Sequence, residues 1–385
     1  MHSTNNWLKL CFPTLLVWLL ALLGLQWVSV VNDSGVQVHF SAGPAFLDFP
    51  LYATTDATDL RVLLRPFYFV GFIYSNGLPF ATEWLQQQLI QPGPVYPLLT
   101  QFFAYPTHSW LLASFYLVIG ILLGLSWSQW AARQKAPLWL QVGLAAFPFL
   151  VYYTVLVSTD LLFAVFAWLL WLVIQKPWFE KPLGLSIVVL VVAAAVLTRP
   201  TALGFIPIAL ISLAYMANIR VFLTGHGLAF LVSLFFIAAW GLVFYAPYYV
   251  VHAANGMQTH YFGFFPQDFH QGILPVFEQT LNTAFSLVLL GLVKLVHAMG
   301  LRPSYAELDP LLTLVRSLPG LVFLPGLFYG MLRAPVLQRI FVGLFLIPVF
   351  VAASQERYIL GIMPILFFWG VRFWLSLFKR FGKTR

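Results

Sequence analysis

Charged side chains are scarce in this chain: Lys, Arg, Asp and Glu together make up 8% of its 385 residues. Soluble domains carry roughly 25% charged residues, so the composition excludes an ordinary soluble globular protein. Hydrophobic residues make up 61% and aromatic residues 18%. Several apolar runs approach the length of about 20 residues that crosses a bilayer as a helix. The sequence therefore predicts an all-α polytopic membrane protein.

Cysteine is nearly absent, because Cys11 is the only one in the chain and lies in the first apolar segment. An internal disulfide is therefore excluded. The net charge is +8, yet the Lys and Arg residues form no cluster suited to nucleic acid, so no nucleic-acid partner is predicted. The first apolar segment is long for a cleaved signal peptide and no small-x-small site follows it, so we expect an uncleaved anchor.

About ten apolar segments are expected to cross the membrane within one transmembrane domain, residues 1–385. Basic residues collect in alternate loops and in the tail, which predicts cytoplasmic termini. The loops 32–109 and 249–310 then face outward. The expected spans are 8–31, 110–131, 138–157, 160–175, 183–199, 201–217, 228–248, 311–332, 336–353 and 358–377.

Residues 281–299 form a further apolar stretch within the second outer loop. If this stretch crossed the membrane, Arg333, Arg339 and the basic tail would face outward, against the usual bias of basic residues. We therefore expect an interfacial or re-entrant helix, with Lys294 and His297 near the headgroups.

Asp160 and Arg199 lie at the expected outer ends of neighbouring spans. An ionised side chain near the hydrocarbon region is costly, so each is a candidate functional residue. The structural alternative is that Arg199 only neutralises Asp160, because buried ion pairs often serve packing alone.

Carboxylates of the first outer loop are the candidates for a general base. This loop holds five of the chain's twelve acids, among them Asp33, Asp56 and Asp59. Each of them can act as a base, as a metal ligand or as a solvated surface charge, and Arg61 and Arg65 stand close enough to neutralise them. The pattern alone does not choose among these roles.

Five short motifs, through the order of four of them, resemble those of the GT-C glycosyltransferases, above all the branch of protein O-mannosyltransferases and aminoarabinose transferases (glycosyltransferase family 39). The motifs are an acid in the first outer loop, a Pro-rich element at 92–97 that contains Tyr96, a Ser-x-Asp at 158–160, and later Arg-Pro and Arg-Tyr pairs at 199–200 and 357–358. The resemblance implies a GT-C-like domain with a first-loop Asp as catalytic base. The Asp-Glu pair usual in the family is absent and the segment 34–55 is extra, so Asp59, Asp56 and Asp33 all stay open as the base. The candidate substrate-binding residues that it implies are Asp160, Arg199, Arg357, Tyr358 and Tyr96.

The resemblance also implies the reaction. A membrane glycosyltransferase of this kind moves a sugar, with inversion, from a polyprenyl-phosphate donor to a glycan, lipid or protein acceptor on the outer face of the membrane. The expected location is a bacterial inner membrane, in contact with its lipids. No metal site or other cofactor is predicted, because the spacing of His252, His260 and His270 fits no tight metal motif, although a divalent cation stays open.

Two other classes of function fit the same composition. One is a transporter or lipid flippase, in which inverted repeats and broken helices are typical, and no repeat is visible here. The other is a polysaccharide polymerase or ligase that also acts on lipid-linked glycans.

Overall fold

The computed structural model describes about half of the chain, and almost all of this part is helical. Helices α1 to α4 are Ser109–Arg133, Leu138–Ala145, Pro148–Val155 and Thr159–Ile174. Helices α5 to α7 are Pro182–Thr198, Ile206–Met216 and His226–Phe236, and α8 to α10 are Gly320–Arg333, Val336–Val351 and Met363–Phe381. The described residues are 14–16, 18–19, 30–31, 37–38, 94–95, 109–155, 159–175, 182–216, 226–246, 291–292, 294–301, 317–351 and 356–381.

Three segments depart from regular α-helix. Residues Pro200–Phe205 and Glu356–Ile362 form 3₁₀ segments that lead into α6 and α10. Residues Ile237–Tyr245 continue α7 as a π-helix, a rare form that occurs often at functional sites. In their described parts, the predicted spans 201–217, 228–248 and 358–377 are therefore helical as expected, but none of them is a plain α-helix throughout.

Two of the predicted spans are interrupted or shortened within the described residues. The described part of the span 138–157 is two short helices, α2 and α3, because Pro148 has no N–H to continue the helical hydrogen bonds. Of the span 8–31, residues 14–16 and 18–19 are helical. Its last two residues, Val30–Val31, pair with Gln37–Val38 as a short antiparallel ladder, since β-branched valine favours strands.

Two helices are long and apolar enough to cross a membrane by length and composition: Ser114–Arg133, of 20 residues, and Tyr358–Lys379, of 22 residues. Seven further apolar helical stretches of 10–17 residues are present in the described part, and one of them, Leu138–Val151, runs across the break between α2 and α3. Outward positions of the described helices are also apolar, as the exposed side chains of Leu122, Leu190, Phe328 and Leu332 illustrate. The count of ten spans stays a prediction.

The contacts divide the chain into two compact units, with the boundary between Val165 and Phe166 of α4. Unit 1 comprises residues 1–62 and 91–165, and unit 2 comprises residues 63–90 and 166–385. The single transmembrane domain stays a prediction.

Unit 1 is held by close helix packing around α1. Gly120 and Gly124, four residues apart, let α1 approach Thr154 of α3 and the carbonyl of Ala145 in α2 so closely that a Cβ would overlap either group. The indole N–H of Trp18 donates to the same Ala145 carbonyl at 2.9 Å. Small residues at this spacing are typical of packed membrane helices.

In unit 2, α8 and α10 pack through a similar pair of glycines, Gly326 and Gly330, with Gly370 on the facing helix. Pro325 deprives the Leu321 carbonyl of its helical donor, and the Trp374 indole donates to that carbonyl at 3.0 Å. Leu321, early in α8, contacts Trp374, late in α10, whereas Gly326, later in α8, lies against Leu366, earlier in α10. The two helices therefore run antiparallel. In the ten-span arrangement the spans 311–332 and 358–377 run parallel, so the packing departs from it here.

Candidate functional site

Arg199 lies where α5 ends and the first 3₁₀ segment begins. Its N–H still donates to the Ala195 carbonyl at 2.9 Å, but its φ of −151° and ψ of 146° are extended. A residue before proline is driven out of the helical region by the proline ring, so Pro200 fixes this break. The break leaves the Arg199 side chain half-buried at a helix junction rather than along a helix face.

The guanidinium carbon of Arg199 lies 4.7 Å from the centre of the Tyr358 ring. A cation within about 6 Å of a ring face is attracted by the negative face of the ring. Tyr358 is half-buried and belongs to the second 3₁₀ segment. The fold thus brings together two candidate residues that are far apart in the sequence.

Both 3₁₀ segments rest on neighbouring residues of α9. Gly204 of the first segment lies against the Leu344 carbonyl and Pro348, and Gly361 of the second lies against the Phe345 ring and Ala167. The Phe205 ring lies 5.5 Å from the Phe345 ring. Helix α9 therefore carries the two segments that present Arg199 and Tyr358.

The π-helix packs against the junction on another side. A Cβ at Gly241 would lie 2.9 Å from Ile206, 3.5 Å from Leu203 and 3.7 Å from Val196, residues that flank Arg199 on both sides. The buried rings of Trp240 and Tyr245 on this helix lie 5.6 Å apart. The close approach of Gly241 sets how near the π-helix lies to the Arg199 junction.

Asp160 belongs to unit 1, in the first turn of α4, and only 4% of its surface is exposed. A carboxylate there is favoured by the positive end of the helix dipole. That position gives Asp160 a structural role whatever else it does, and its pairing with Arg199 stays a prediction.

The other candidate residues lie outside the described residues, either wholly or in their side chains. Asp33, Asp56, Asp59 and Tyr96 belong to the undescribed part of the first loop. The main chain of Arg357 is part of the second 3₁₀ segment, beside Tyr358, but its side chain is not described. The roles implied for these five residues stay predictions.

The predicted interfacial helix is helical at 291–292 and 294–298. Gly291 lies against Phe350 in the last turn of α9, and Leu301 lies against Gly320 at the start of α8. Lys294 and His297, one turn apart, are 5% and 3% exposed. Burial lowers the pKa of Lys294 from 10.5 to about 8. The segment therefore packs on helix ends opposite those that carry Arg333 and Arg339.

Thr201, two residues after Arg199, was missed by the sequence reasoning. Its hydroxyl is buried, its side chain is 7% exposed, and Oγ1 has no hydrogen-bond partner within the described residues. A signal for it exists in the sequence. A Thr at the second position of a helix that begins with proline has no carbonyl of its own helix four residues earlier to accept its proton.

Among the described residues, no group of three or more His, Cys, Asp or Glu side chains lies together as a metal ion would need. Comparison of the chain with protein-family models, with curated proteins and with solved structures found no match. The site is therefore interpreted from its own chemistry.

Proposed function

We propose that this chain is an integral membrane glycosyltransferase that moves a sugar from a polyprenyl-phosphate donor to an acceptor on the outer face of the membrane. The observation that carries the proposal is the contact of Arg199 with Tyr358 at 4.7 Å. Arg199-Pro200 and Arg357-Tyr358 are two of the five motifs on which the resemblance rests. Their proximity is what a shared site for one substrate requires.

A phosphate ester fits this site because an arginine presents a planar fork of donors that matches phosphate oxygens, and its charge is permanent. The guanidinium carbon lies over the Tyr358 ring, 4.7 Å from its centre. The guanidinium N–H groups are the atoms that a phosphate contacts. The contact with the ring also restricts the side chain, so less freedom is lost when phosphate binds.

The composition and the outward surface support a membrane location. Exposed positions on α5, α8 and α10, such as Leu190, Leu332 and Phe378, carry large apolar side chains. A helix that is apolar on all sides is stable when lipid or protein covers it. Polyprenyl chains are dissolved in the same lipid, so the donor reaches the Arg199 junction from within the membrane.

The reaction we propose is a direct displacement at the anomeric carbon. The acceptor oxygen forms the new bond to this carbon while the bond to the phosphate oxygen breaks, which inverts the configuration. The electron pair of the broken bond leaves with polyprenyl phosphate, where Arg199 stabilises the charge. The proton of the acceptor hydroxyl passes to a carboxylate of the first loop, for which Asp59 is the first candidate and Asp56 and Asp33 are the others.

The test of activity uses purified protein in lipid nanodiscs and a panel of polyprenyl-phosphate sugars that carry a radiolabel in the sugar. Release of polyprenyl phosphate with at least one donor, and its loss in Arg199→Gln, are expected. No release with any donor, in protein that remains folded, would contradict the proposal.

The base is tested in the same assay. Asn is nearly isosteric with Asp but does not take up a proton, so Asp59→Asn should lower turnover by about two to four decades. Asp56→Asn and Asp33→Asn test the other two candidates for the base. If Asp59→Asn keeps full activity while Asp33→Asn loses it, the base is Asp33.

A transporter or flippase is the second candidate, and one observation favours it. The break between α2 and α3 and the π-helix interrupt apolar helices, and interrupted helices are typical of transporters. A flippase would move the intact lipid-linked sugar between leaflets without releasing polyprenyl phosphate. A polymerase or ligase would release a polyprenyl lipid only when its donor carries an oligosaccharide, which a further donor in the panel tests.

A further inference from the structure

Resting on the proposed function, the structure assigns a second phosphate ligand: we propose that the Thr201 hydroxyl donates a hydrogen bond to the phosphate that Arg199 binds. Three other Ser and Thr hydroxyls of unit 2 donate to their own helices. Thr198 donates to the Ala194 carbonyl at 2.7 Å, Ser212 to the Ile208 carbonyl at 2.9 Å and Ser233 to the Ala229 carbonyl at 2.7 Å. Each of them is satisfied by its own helix, four residues back.

Thr201 has no such acceptor because of its position. The helix that contains it begins at Pro200, and the residue four positions earlier, Leu197, belongs to α5 on the other side of the Arg199 break. Its hydroxyl is nevertheless buried, with no partner within the described residues. A buried hydroxyl without a partner destabilises a fold, so a valine of the same shape would serve better if packing were its only role.

The position of Thr201 beside Arg199 indicates which group accepts its hydrogen bond: the phosphate that Arg199 binds. The two residues flank Pro200, where the first 3₁₀ segment begins. An arginine guanidinium and a hydroxyl both donate hydrogen bonds to phosphate oxygens. Their closeness along the chain lets one tetrahedral phosphate ester accept hydrogen bonds from both.

A hydroxyl and an arginine recognise the phosphate group, and they do not distinguish between the lipid chains attached to it. Two membrane sources offer a phosphate ester: the polyprenyl-phosphate donor and the headgroup of a bilayer phospholipid. The proposal assigns the site to the donor. Binding measurements with a short polyprenyl phosphate, its alcohol and a phospholipid distinguish the sources.

The experiment uses the full chain in phosphatidylcholine nanodiscs and measures the binding of farnesyl phosphate and of farnesol. Thr201→Val should weaken the binding of farnesyl phosphate about tenfold, as expected for a lost hydrogen bond to a charged group. Thr201→Ser keeps the hydroxyl and should bind within about threefold of the unmodified protein. Farnesol, which lacks the phosphate, should bind equally to all three.

Stability separates a binding role from a structural one. Thr201→Val removes a buried hydroxyl that has no partner within the described residues, so its melting temperature should equal or exceed that of the unmodified protein. Ser212→Ala, which removes a hydroxyl bonded to its own helix, is the matched control. It should melt lower and bind farnesyl phosphate unchanged.

Three results would overturn the inference. The first is equal binding of farnesyl phosphate by the unmodified protein and Thr201→Val. The second is an equal loss of farnesyl phosphate and farnesol binding, which indicates packing. The third is displacement of farnesyl phosphate by phosphatidylglycerol added to the nanodiscs, which assigns the site to a phospholipid headgroup. If Arg199→Gln weakens binding and Thr201→Val does not, this inference alone fails; if neither does, the phosphate site of the proposed function fails too.

Discussion

Gly204 lies directly against the carbonyl oxygen of Leu344, an oxygen that has no helical donor because Pro348, four residues later, has no N–H. A Cβ at position 204 would overlap that oxygen and come within 3.1 Å of Pro348. The free Leu344 carbonyl and the Pro348 ring form a contact surface on α9, which we call the notch. Because Gly204 has no side chain, the first 3₁₀ segment can approach the notch closely. This contact fixes the segment that begins beside Arg199.

The substitution Gly204→Ala should therefore separate the first 3₁₀ segment from α9. Overpacking of a core usually costs about 1–3 kcal/mol, so the melting temperature should fall and donor use should fall with it. Gly343→Ala, on α9 itself, is the control, since a Cβ there meets nothing within 4 Å. Equal behaviour of the two variants would show that the notch has no role.

The contact between Arg199 and Tyr358 makes a second prediction. Tyr358→Phe keeps the ring and should retain most of the affinity for the donor, whereas Tyr358→Leu should raise the KM for the donor. A double-mutant cycle with Arg199→Lys should give a coupling of about 0.5–2 kcal/mol in donor binding. Additive effects would mean that the ring does not position the guanidinium group.

The structural alternative for Arg199 is tested with Asp160. If Arg199 only neutralised Asp160, then Asp160→Asn should restore activity to Arg199→Gln, because no buried charge would be left alone. A phosphate role predicts that Arg199→Gln stays inactive, while folded, whatever residue occupies position 160.

Much of the helical pattern could be predicted from the sequence, and the site could be predicted only in part. Apolar runs located α1, α4, α5 and α9 to within a few residues, because a run of this length has few alternatives to helix. Pro148 also indicates a helix break in the sequence. The residues on both sides of it are apolar, so the hydrophobic pattern alone predicts one continuous span. The π-helix has no comparable signal, since the packing of Gly241 against Ile206 is a tertiary contact.

The contact of Arg199 with Tyr358 could be expected from the order of motifs but not from local sequence. It depends on two glycines, Gly204 and Gly361, that approach adjacent residues of α9 from different parts of the chain. Non-local approaches of this kind leave no periodicity in the sequence. The Thr201 hydroxyl shows the reverse case, because its lack of a helical acceptor follows from the position of Pro200 alone.

The burial of Lys294 predicts a pH dependence of stability. Its pKa is about 8 in the folded protein and 10.5 when exposed, so between these values the unfolded chain binds more protons. The free energy of unfolding should therefore rise from pH 8 to pH 10.5. Lys294→Met should lack this rise, and the difference in melting temperature between the two proteins isolates it. An identical pH profile for both would contradict the burial of the amine.

The topology is tested by reporter fusions. The basic residues predict cytoplasmic signals after Lys135, Lys181, Arg220 and the C-terminus, and external signals near Thr58 and Gln267. Position 334 is the most informative addition. The ten-span arrangement predicts a cytoplasmic signal there, whereas the antiparallel packing of α8 on α10 would place position 334 on the side opposite the C-terminus.

An external signal at 334 with a cytoplasmic C-terminus would overturn the ten-span arrangement. An external signal at the C-terminus would instead establish 281–299 as a true span.

The most direct test of sugar transfer counts both products in one sample. Proteoliposomes with a radiolabelled polyprenyl-phosphate sugar and a pool of acceptors are sampled over time for free polyprenyl phosphate and for labelled product, and the anomeric configuration of the product is determined. The account predicts equal amounts of the two products and an inverted configuration, with both lost in Arg199→Gln. Movement of the intact labelled lipid between leaflets, without release of polyprenyl phosphate, would contradict it.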